Sequence, residues 1–442
     1  MQRFAQSRDP AARAGKQRKR VKILSYAARC HPNYHPKPAP CFLATDAPHL
    51  DTGPCGRCPL HGRPRMIQLP KTLPRWLSAM LFIIALGAAF WRAPTPTAPA
   101  FVPPPAATPS TLAASFTSET LPKVAEWAQA ASLTQFPDGR LAAAWLAGSE
   151  AGNEDNSIWF STLGKDGWRK PLPIANRAST AGGTFAHMRR IGNPVLHAEG
   201  SWLHLWYVSM GIGGAASSTL NHSFSTDGGK SWMKPSRLQT SPFANISTLT
   251  SAPPHPLADG GLGLPIHHQF IATQGEWLRL SATGKVLDKV RLSHAVPTAQ
   301  PAVIALDAQH ALAVLPDAGL EPGKVQIATT RDGGLRWQAG EALPVSNPDS
   351  PVALLRLKSG RLLLAGNPAS GRGSLSLWLS PDEGKTWQPS RTVETAADGG
   401  ADFSHPALLL GSDGRIHLAY TWRSQQIKHA VFSEAWLDGG QP

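Results

Sequence analysis

Beyond Cys58 the sequence contains no cysteine, and beyond Arg92 it holds only two tyrosines, Tyr207 and Tyr420. Charge is sparse as well, at 16% of 442 residues. Each shortage excludes a class. A disulfide scaffold needs about 8% Cys in a short chain, and a coiled coil or helical array draws about half its residues from Ala, Glu, Lys, Leu and Arg. A long domain without cysteine suits export without disulfides. What is plentiful is Gly (40), Pro (41) and Trp (15). Gly and Pro supply turn geometry and Trp packs well on a pleated surface, so many short strands joined by tight turns are expected.

The formal net charge of +14 is unevenly placed. The first 65 residues carry 13 Lys and Arg against Asp9, Asp46 and Asp51, which leaves only about +4 for residues 66–442. That remainder lacks the clustered basic stripe that tracks phosphates, so no nucleic-acid partner is expected. The four cysteines, Cys30, Cys41, Cys55 and Cys58, sit in the same opening segment with His31 and His61. One CxxC in a Pro- and Arg-rich stretch without apolar periodicity reads as a basic, disordered extension over 1–65, with a zinc site as the competing reading. Met66 opens a complete export signal of its own, so translation from Met66 would omit the extension.

Trp76 to Trp91 reads WLSAMLFIIALGAAFW, uncharged and preceded by Lys71 and Arg75. Sixteen helical residues rise about 24 Å, and terminal Trp and snorkelling Arg extend that reach toward a hydrocarbon core. The expectation is a transmembrane signal-anchor over 71–92, single-pass in the inner membrane, with everything after Arg92 exported to the periplasm. Gly87 and Ala89 keep a cleavable signal open as the alternative. Residues 93–109, APTPTAPAFVPPPAATP, read as a Pro-rich linker favouring polyproline II.

Internal repeats decide the fold of 110–442. STDGGKSW (Ser225–Trp232), TRDGGLRW (Thr330–Trp337) and SPDEGKTW (Ser380–Trp387) share one pattern, and STLGKDGW (Ser161–Trp168) and SATGKVLD (Ser281–Asp288) are weaker copies. In each strong copy the Asp can accept backbone N–H bonds, Gly supplies positive φ and Trp packs back under a hairpin. The starts are 64, 56, 49 and 50 residues apart, in the range of propeller blades. Between them GRLAAAWLAG (139–148), SWLHLWYVSM (201–210), SGRLLLAGNP (359–368) and DGRIHLAYTW (413–422) alternate as strands do. An all-β, six-bladed β-propeller over 110–442 is the most economical fold, with seven blades as the upper limit.

The repeated S/T-x-D-x-G-x-x-W turn resembles the Asp box of bacterial sialidases and their BNR-repeat relatives. The resemblance runs from about Ser132 to Leu437 and includes GSEAGNEDNSIW, RIGNPVLH, SPFANISTLT, LGLPIHHQF, NPDSPVALLRLKSGRLLLAGNP, FSHPALLL and YTWRSQQIKHAVFSEAWL in order. It implies Asp boxes on the outer rim and a central site in which arginines clamp a sugar carboxylate, an Asp serves as acid/base and a Glu-activated Tyr attacks the anomeric carbon. Where the family usually places a Tyr before Pro in its last blade, this sequence has His405, and where relatives carry Arg-Glu after Gly-Ser it has Glu150 and Ala151. Asp155 keeps the place of the family's Asp.

The expected catalytic residues are therefore Asp155, His405, Asp402 as the partner of His405, and Glu150. The expected glycan-binding residues are Arg189, Arg190, Asn193, His268, Arg372 and Arg423. No metal or cofactor is expected. Two functions follow from the resemblance. One is a membrane-anchored exo-glycosidase of acidic sugars; the other is a propeller that binds glycan or a protein partner without turnover.

Overall fold

A computed structural model of the chain describes residues 75–92 and 98–439 apart from 242–244, 295, 320–322, 349, 369–370 and 397–399. The basic extension, its cysteines and the zinc reading lie outside the described residues. The apolar run forms one helix, Arg75–Arg92, of 18 residues. Among the described residues no helix is long and apolar enough to cross a membrane.

From Phe116 onward the chain builds antiparallel sheets arranged as six blades. Blade I consists of Trp127–Gln135, Leu141–Gly148, Ser157–Gly164 and Leu172–Asn176, and blade II of Arg190–Glu199, Trp202–Met210, Thr219–Ser225 and Ser236–Arg237. In blade III the first strand is split into Leu249–Thr250 and His255–Pro256, followed by Leu262–Phe270, Ala272–Leu280 and Val286–Arg291. Blade IV has Ala302–Ala305, Ala311–Leu315, Gln326–Thr330 and Gln338–Ala339; blade V has Ala353–Arg356, Leu362–Gly366, Ser374–Ser380 and Gln388–Thr395. Blade VI takes Phe403–Leu410, Ile416–Trp422 and Gln426–Phe432 from the end of the chain and is completed by Phe116–Thr120, paired from Phe116↔Phe432 to Thr120↔Lys428. The two ends of the propeller are thereby joined by backbone hydrogen bonds, which removes the open edge a six-blade ring would otherwise keep.

First strands of neighbouring blades contact one another around the ring, so they line the axis. The four alternating runs of the sequence are all second strands, buried on both faces between blades. Apolar clusters fill the seams: Trp206 and Leu220 of blade II meet Leu264, Ile266 and Leu278 of blade III, and Leu375 and Leu377 of blade V meet Leu418 and Tyr420 of blade VI.

All five repeat copies fall at the turn between third and fourth strands. In the first strong copy Asp227 accepts the backbone N–H groups of Lys230 and Ser231 at 3.0 and 2.9 Å, Ser225 Oγ accepts from Gly229 N at 2.9 Å, and Trp232 Nε1 donates to Gly229 O at 3.1 Å. Hydroxyl donation from Ser231 and these N–H groups hold the Asp227 carboxyl well below the usual range. Gly229 is required twice over. Its φ is +89°, and a Cβ would lie 2.2 Å from the Phe160 ring of the preceding blade.

The Pro-rich segment does more than space. Phe101 is fully buried beside Trp277 at 5.9 Å, and its N–H donates to Ala308 O at 2.9 Å. Ala258 N donates to Ala100 O and Thr108 N to Lys358 O, both at 2.8 Å. Residues 98–108 thus cross the turns between first and second strands of blades III to V, on the end of the propeller that also carries the Asp boxes.

Candidate functional site

In an antiparallel blade the entry to the first strand and the turn between second and third strands lie at the same end, opposite the Asp boxes. Every residue expected in the site belongs to that end. Glu150 and Asp155 occupy the second-to-third-strand turn of blade I; Arg189, Arg190 and Asn193 open blade II; His268 ends the second strand of blade III. Arg372 occupies the corresponding turn of blade V, Arg423 that of blade VI, and Asp402 and His405 open blade VI.

The inner strands carry a recurring distortion there. Ala130, Asn193, Ser247, Gln300 and His405 have φ of +57°, +46°, +49°, +45° and +52°, one each in blades I, II, III, IV and VI. Register shifts mark bulges at 129/132, 192/195 and 404/407. Left-handed non-glycine residues are uncommon, and bulges beside sites re-aim side chains. The distortion turns Asn193 and His405 away from the regular pleat at the head of the axis.

His405 anchors the better-defined half of the site. Gln129 Nε2 lies 3.1 Å and Ser404 Oγ 3.0 Å from His405 Nδ1. Burial, and secondarily the Arg372 charge, push its pKa down to about 3 against the opposing pull of Asp402. The ring is neutral at physiological pH. Such a weakly basic imidazole hydrogen-bonds well and takes up a proton poorly. Asp402 accepts from Ser424 Oγ at 2.7 Å, and Arg423 N donates to Asp402 O at 2.7 Å. Arg423 is exposed, with its guanidinium 5.2 Å over the Trp422 ring. Blades V, VI and I therefore bring His405, Asp402, Arg372 and Arg423 into one neighbourhood, together with Gln129, which no motif announced.

The other half is looser. The Asp155 carboxylate is folded onto its own turn, accepting from Ser149 N at 3.0 Å and Ser149 Oγ at 3.1 Å, and Glu150 is exposed beside it. Arg190 crosses to that turn: a Cβ on Gly152 would lie 3.0 Å from its Nη1. Arg189 is exposed, with its backbone paired to Met210. His268 Nε2 is 2.8 Å from Phe270 O. Behind it His267 is buried, with neither ring nitrogen hydrogen-bonded, and burial holds its pKa at about 3.

Both tyrosines of the propeller, Tyr207 and Tyr420, are fully buried. Tyr207 OH is 2.9 Å from Thr180 Oγ1, and Tyr420 donates to Glu394 Oε1 at 2.7 Å, an oxygen that also receives Lys428 Nζ at 2.6 Å. Burial pushes Tyr207 up to about 12 and raises Tyr420 further, with Glu394 adding to the rise. A Tyr–Glu pair thus exists, but it lies in the seam between blades V and VI as a structural contact. Among the described residues no group of three or more His, Cys, Asp or Glu could hold a metal ion.

The profile of the BNR repeat-like domain matches residues 139–418. The chain belongs to that family. No curated protein matches its sequence. In fold this BNR repeat-like chain is similar to a protein of unknown function from Dyadobacter fermentans, 16% identical at a TM-score of 0.58, with 72% of this chain and 97% of that one covered. It is similar also to a Hadza microbial sialidase (14%, TM-score 0.56, 70% and 66% covered). A leech intramolecular trans-sialidase, solved with 2,7-anhydro-Neu5Ac, aligns at 13% and a TM-score of 0.56, with 71% and 69% covered. The chain spans about two thirds of the length of these two sialidases.

Proposed function

We propose that this propeller is an exported glycan-binding protein of sialidase-like build, whose funnel takes a carboxylated sugar without running a tyrosine mechanism. The observation that carries the reading is the fate of the phenols: Tyr207 and Tyr420 are fully buried with their hydroxyls engaged, while the family's tyrosine place holds a neutral His405 beside Arg372. Arg372 and Arg423 would meet the carboxylate, since a guanidinium offers a planar fork of donors that matches it. Gln129, Asn193 and His405 would hydrogen-bond sugar hydroxyls. Arg190 would serve an acidic ring from the blade I side.

Hydrolysis is the second reading, favoured by the two carboxylates of one turn, Glu150 and Asp155. Folded onto Ser149, Asp155 would first have to be released to act as acid/base. The same proposal includes anchoring of the chain in the inner membrane through 71–92, with the propeller in the periplasm. The uncharged run Trp76–Trp91, its terminal tryptophans and the basic flank at Lys71 and Arg75 support it.

The test is binding of full-length protein to an array of neutral and carboxylated glycans, beside turnover of a fluorogenic sialoside. Retention of carboxylated glycans only, reduced about tenfold or more in Arg372→Ala and without turnover, is the expected result. Turnover that disappears in Asp155→Asn would replace the binding reading with the hydrolase.

A further inference from the structure

Blades II and VI carry the same side-chain pair at equivalent places. In blade II, His204 of the second strand and His222 of the third are parallel rings 5.2 Å apart, with Nδ1 of His204 2.9 Å from Nε2 of His222. In blade VI, His417 and His429 repeat this at 5.2 Å, with Nδ1 of His417 3.0 Å from Nε2 of His429. The register is the same, since Trp206 faces His222 and Ala419 faces His429, with each first histidine two residues earlier.

What covers the two pairs differs. The pair in blade VI is buried under the following blade: Trp168, from the third-to-fourth-strand turn of blade I, donates Nε1–H to His429 Nδ1 at 3.3 Å and meets that ring edge-on at 5.3 Å. With Nδ1 of His429 accepting, its proton sits on Nε2 and is donated on to His417. The pair in blade II faces the turn of blade III, which is the weak repeat SATGKVLD. That turn closes as a short hairpin, Ser281 N donating to Lys285 O and Gly284 N to Ser281 O, each at 2.8 Å. Its eighth residue is Asp288 in place of Trp, paired with Arg279 at 2.7 Å. No group among the described residues bonds to Nδ1 of His222.

The result is a cleft of about 1140 Å³ between blades II and III. One wall is aromatic, with Trp202, Trp206 and Phe224 beside the histidines; Leu280 and Val286 stand on the other. Trp202 is 45% exposed, and the indole nitrogen of Trp206 has no acceptor. The cleft opens away from the funnel residues, on the rim that carries the Asp boxes.

We propose that this cleft binds a tryptophan side chain presented by a partner polypeptide, the indole N–H donating to His222 Nδ1 as Trp168 does to His429. Burial keeps His222 neutral, with a pKa of about 4. Glu199 Oε2, 3.8 Å from His204 Nε2, favours the His204 proton on that nitrogen, so His204 Nδ1 accepts from His222 Nε2–H and His222 Nδ1 is left as the acceptor, as in blade VI. A flat apolar ring suits facing aromatic and aliphatic walls. A pyranose would also stack on Trp202, but the precedent within the fold is an indole, since Trp168 already donates its N–H to the equivalent histidine of blade VI.

The experiment titrates full-length protein with N-acetyl-L-tryptophanamide and with its 1-methylindole analogue, read by calorimetry, and repeats both with His222→Leu. Expected is binding of the parent probe about tenfold tighter than the methylated one, the size of one hydrogen bond, with the two probes equal in His222→Leu. No binding of the parent probe, or equal binding of both probes to the unaltered protein, overturns the proposal; this arm needs no variant to fold. Binding of methyl pyranosides that displaces the tryptophan probe and is lost in Trp202→Ala would likewise overturn it, making the cleft a glycan site.

Discussion

Several histidines of the propeller are packed where a charge is costly. Burial holds His405, His429 and His267 at about 3 and His197, His222 and His255 at about 4, all below an ordinary imidazole. A histidine whose folded pKa is depressed binds more protons unfolded, so its contribution is complete above about pH 6.5 and is lost as pH falls toward 3. The propeller is therefore expected to melt at a substantially lower temperature at pH 4.5 than at pH 7.5, measured by calorimetry at constant ionic strength. An unchanged melting temperature would contradict the neutral assignment. Over pH 5.5 to 8 the binding of a carboxylated glycan should be flat, because His405 stays neutral throughout that range.

At the scale of elements, each strong Asp box is a wedge seated on the preceding blade. Gly229 lies against Phe160, Gly334 against Trp277 and Gly384 against Leu312. Gly228 and Gly229 separate conformation from contact, since both have positive φ but only Gly229 has a neighbour within 4 Å of a built Cβ. Gly228→Ala is expected to cost about 1 kcal/mol and Gly229→Ala roughly 2 to 4 kcal/mol, read from denaturant unfolding. Equal losses would show that the wedge contact contributes nothing. The repeats were legible in the sequence because the turn is local: carboxylate, glycine and indole act within eight residues. Nothing local announced that STLGKDGW would send its Trp168 to a histidine of another blade, or that SATGKVLD would leave a cleft.

For the whole molecule, the segment that enters the propeller and the strand that closes it act together. Phe101 is fully buried against Trp277, and Phe116–Thr120 supplies the outer edge of blade VI. Phe101→Ala is expected to cost about 3 to 5 kcal/mol in unfolding experiments on the full-length chain. A cost below 1 kcal/mol would return the segment to the role of a bare spacer. The proline content of 93–109 reads as a linker because composition reports backbone preference; the docking of one aromatic depends on a groove built by blades III and IV.

Turn chemistry, strand periodicity and the spacing of repeats were enough to give the sequence an all-β propeller of six blades, because each is set by interactions within one blade. The site residues expected from the resemblance all fall at strand entries, strand ends and second-to-third-strand turns, which antiparallel topology gathers at one end. Only the tertiary structure decided which groups meet. It put Gln129 of the first blade against His405 of the last and buried a Tyr420–Glu394 pair between blades V and VI, contacts that no stretch of the sequence announces. The physical reason is closure: a ring brings residues 276 positions apart to hydrogen-bond distance, and no local pattern carries that separation.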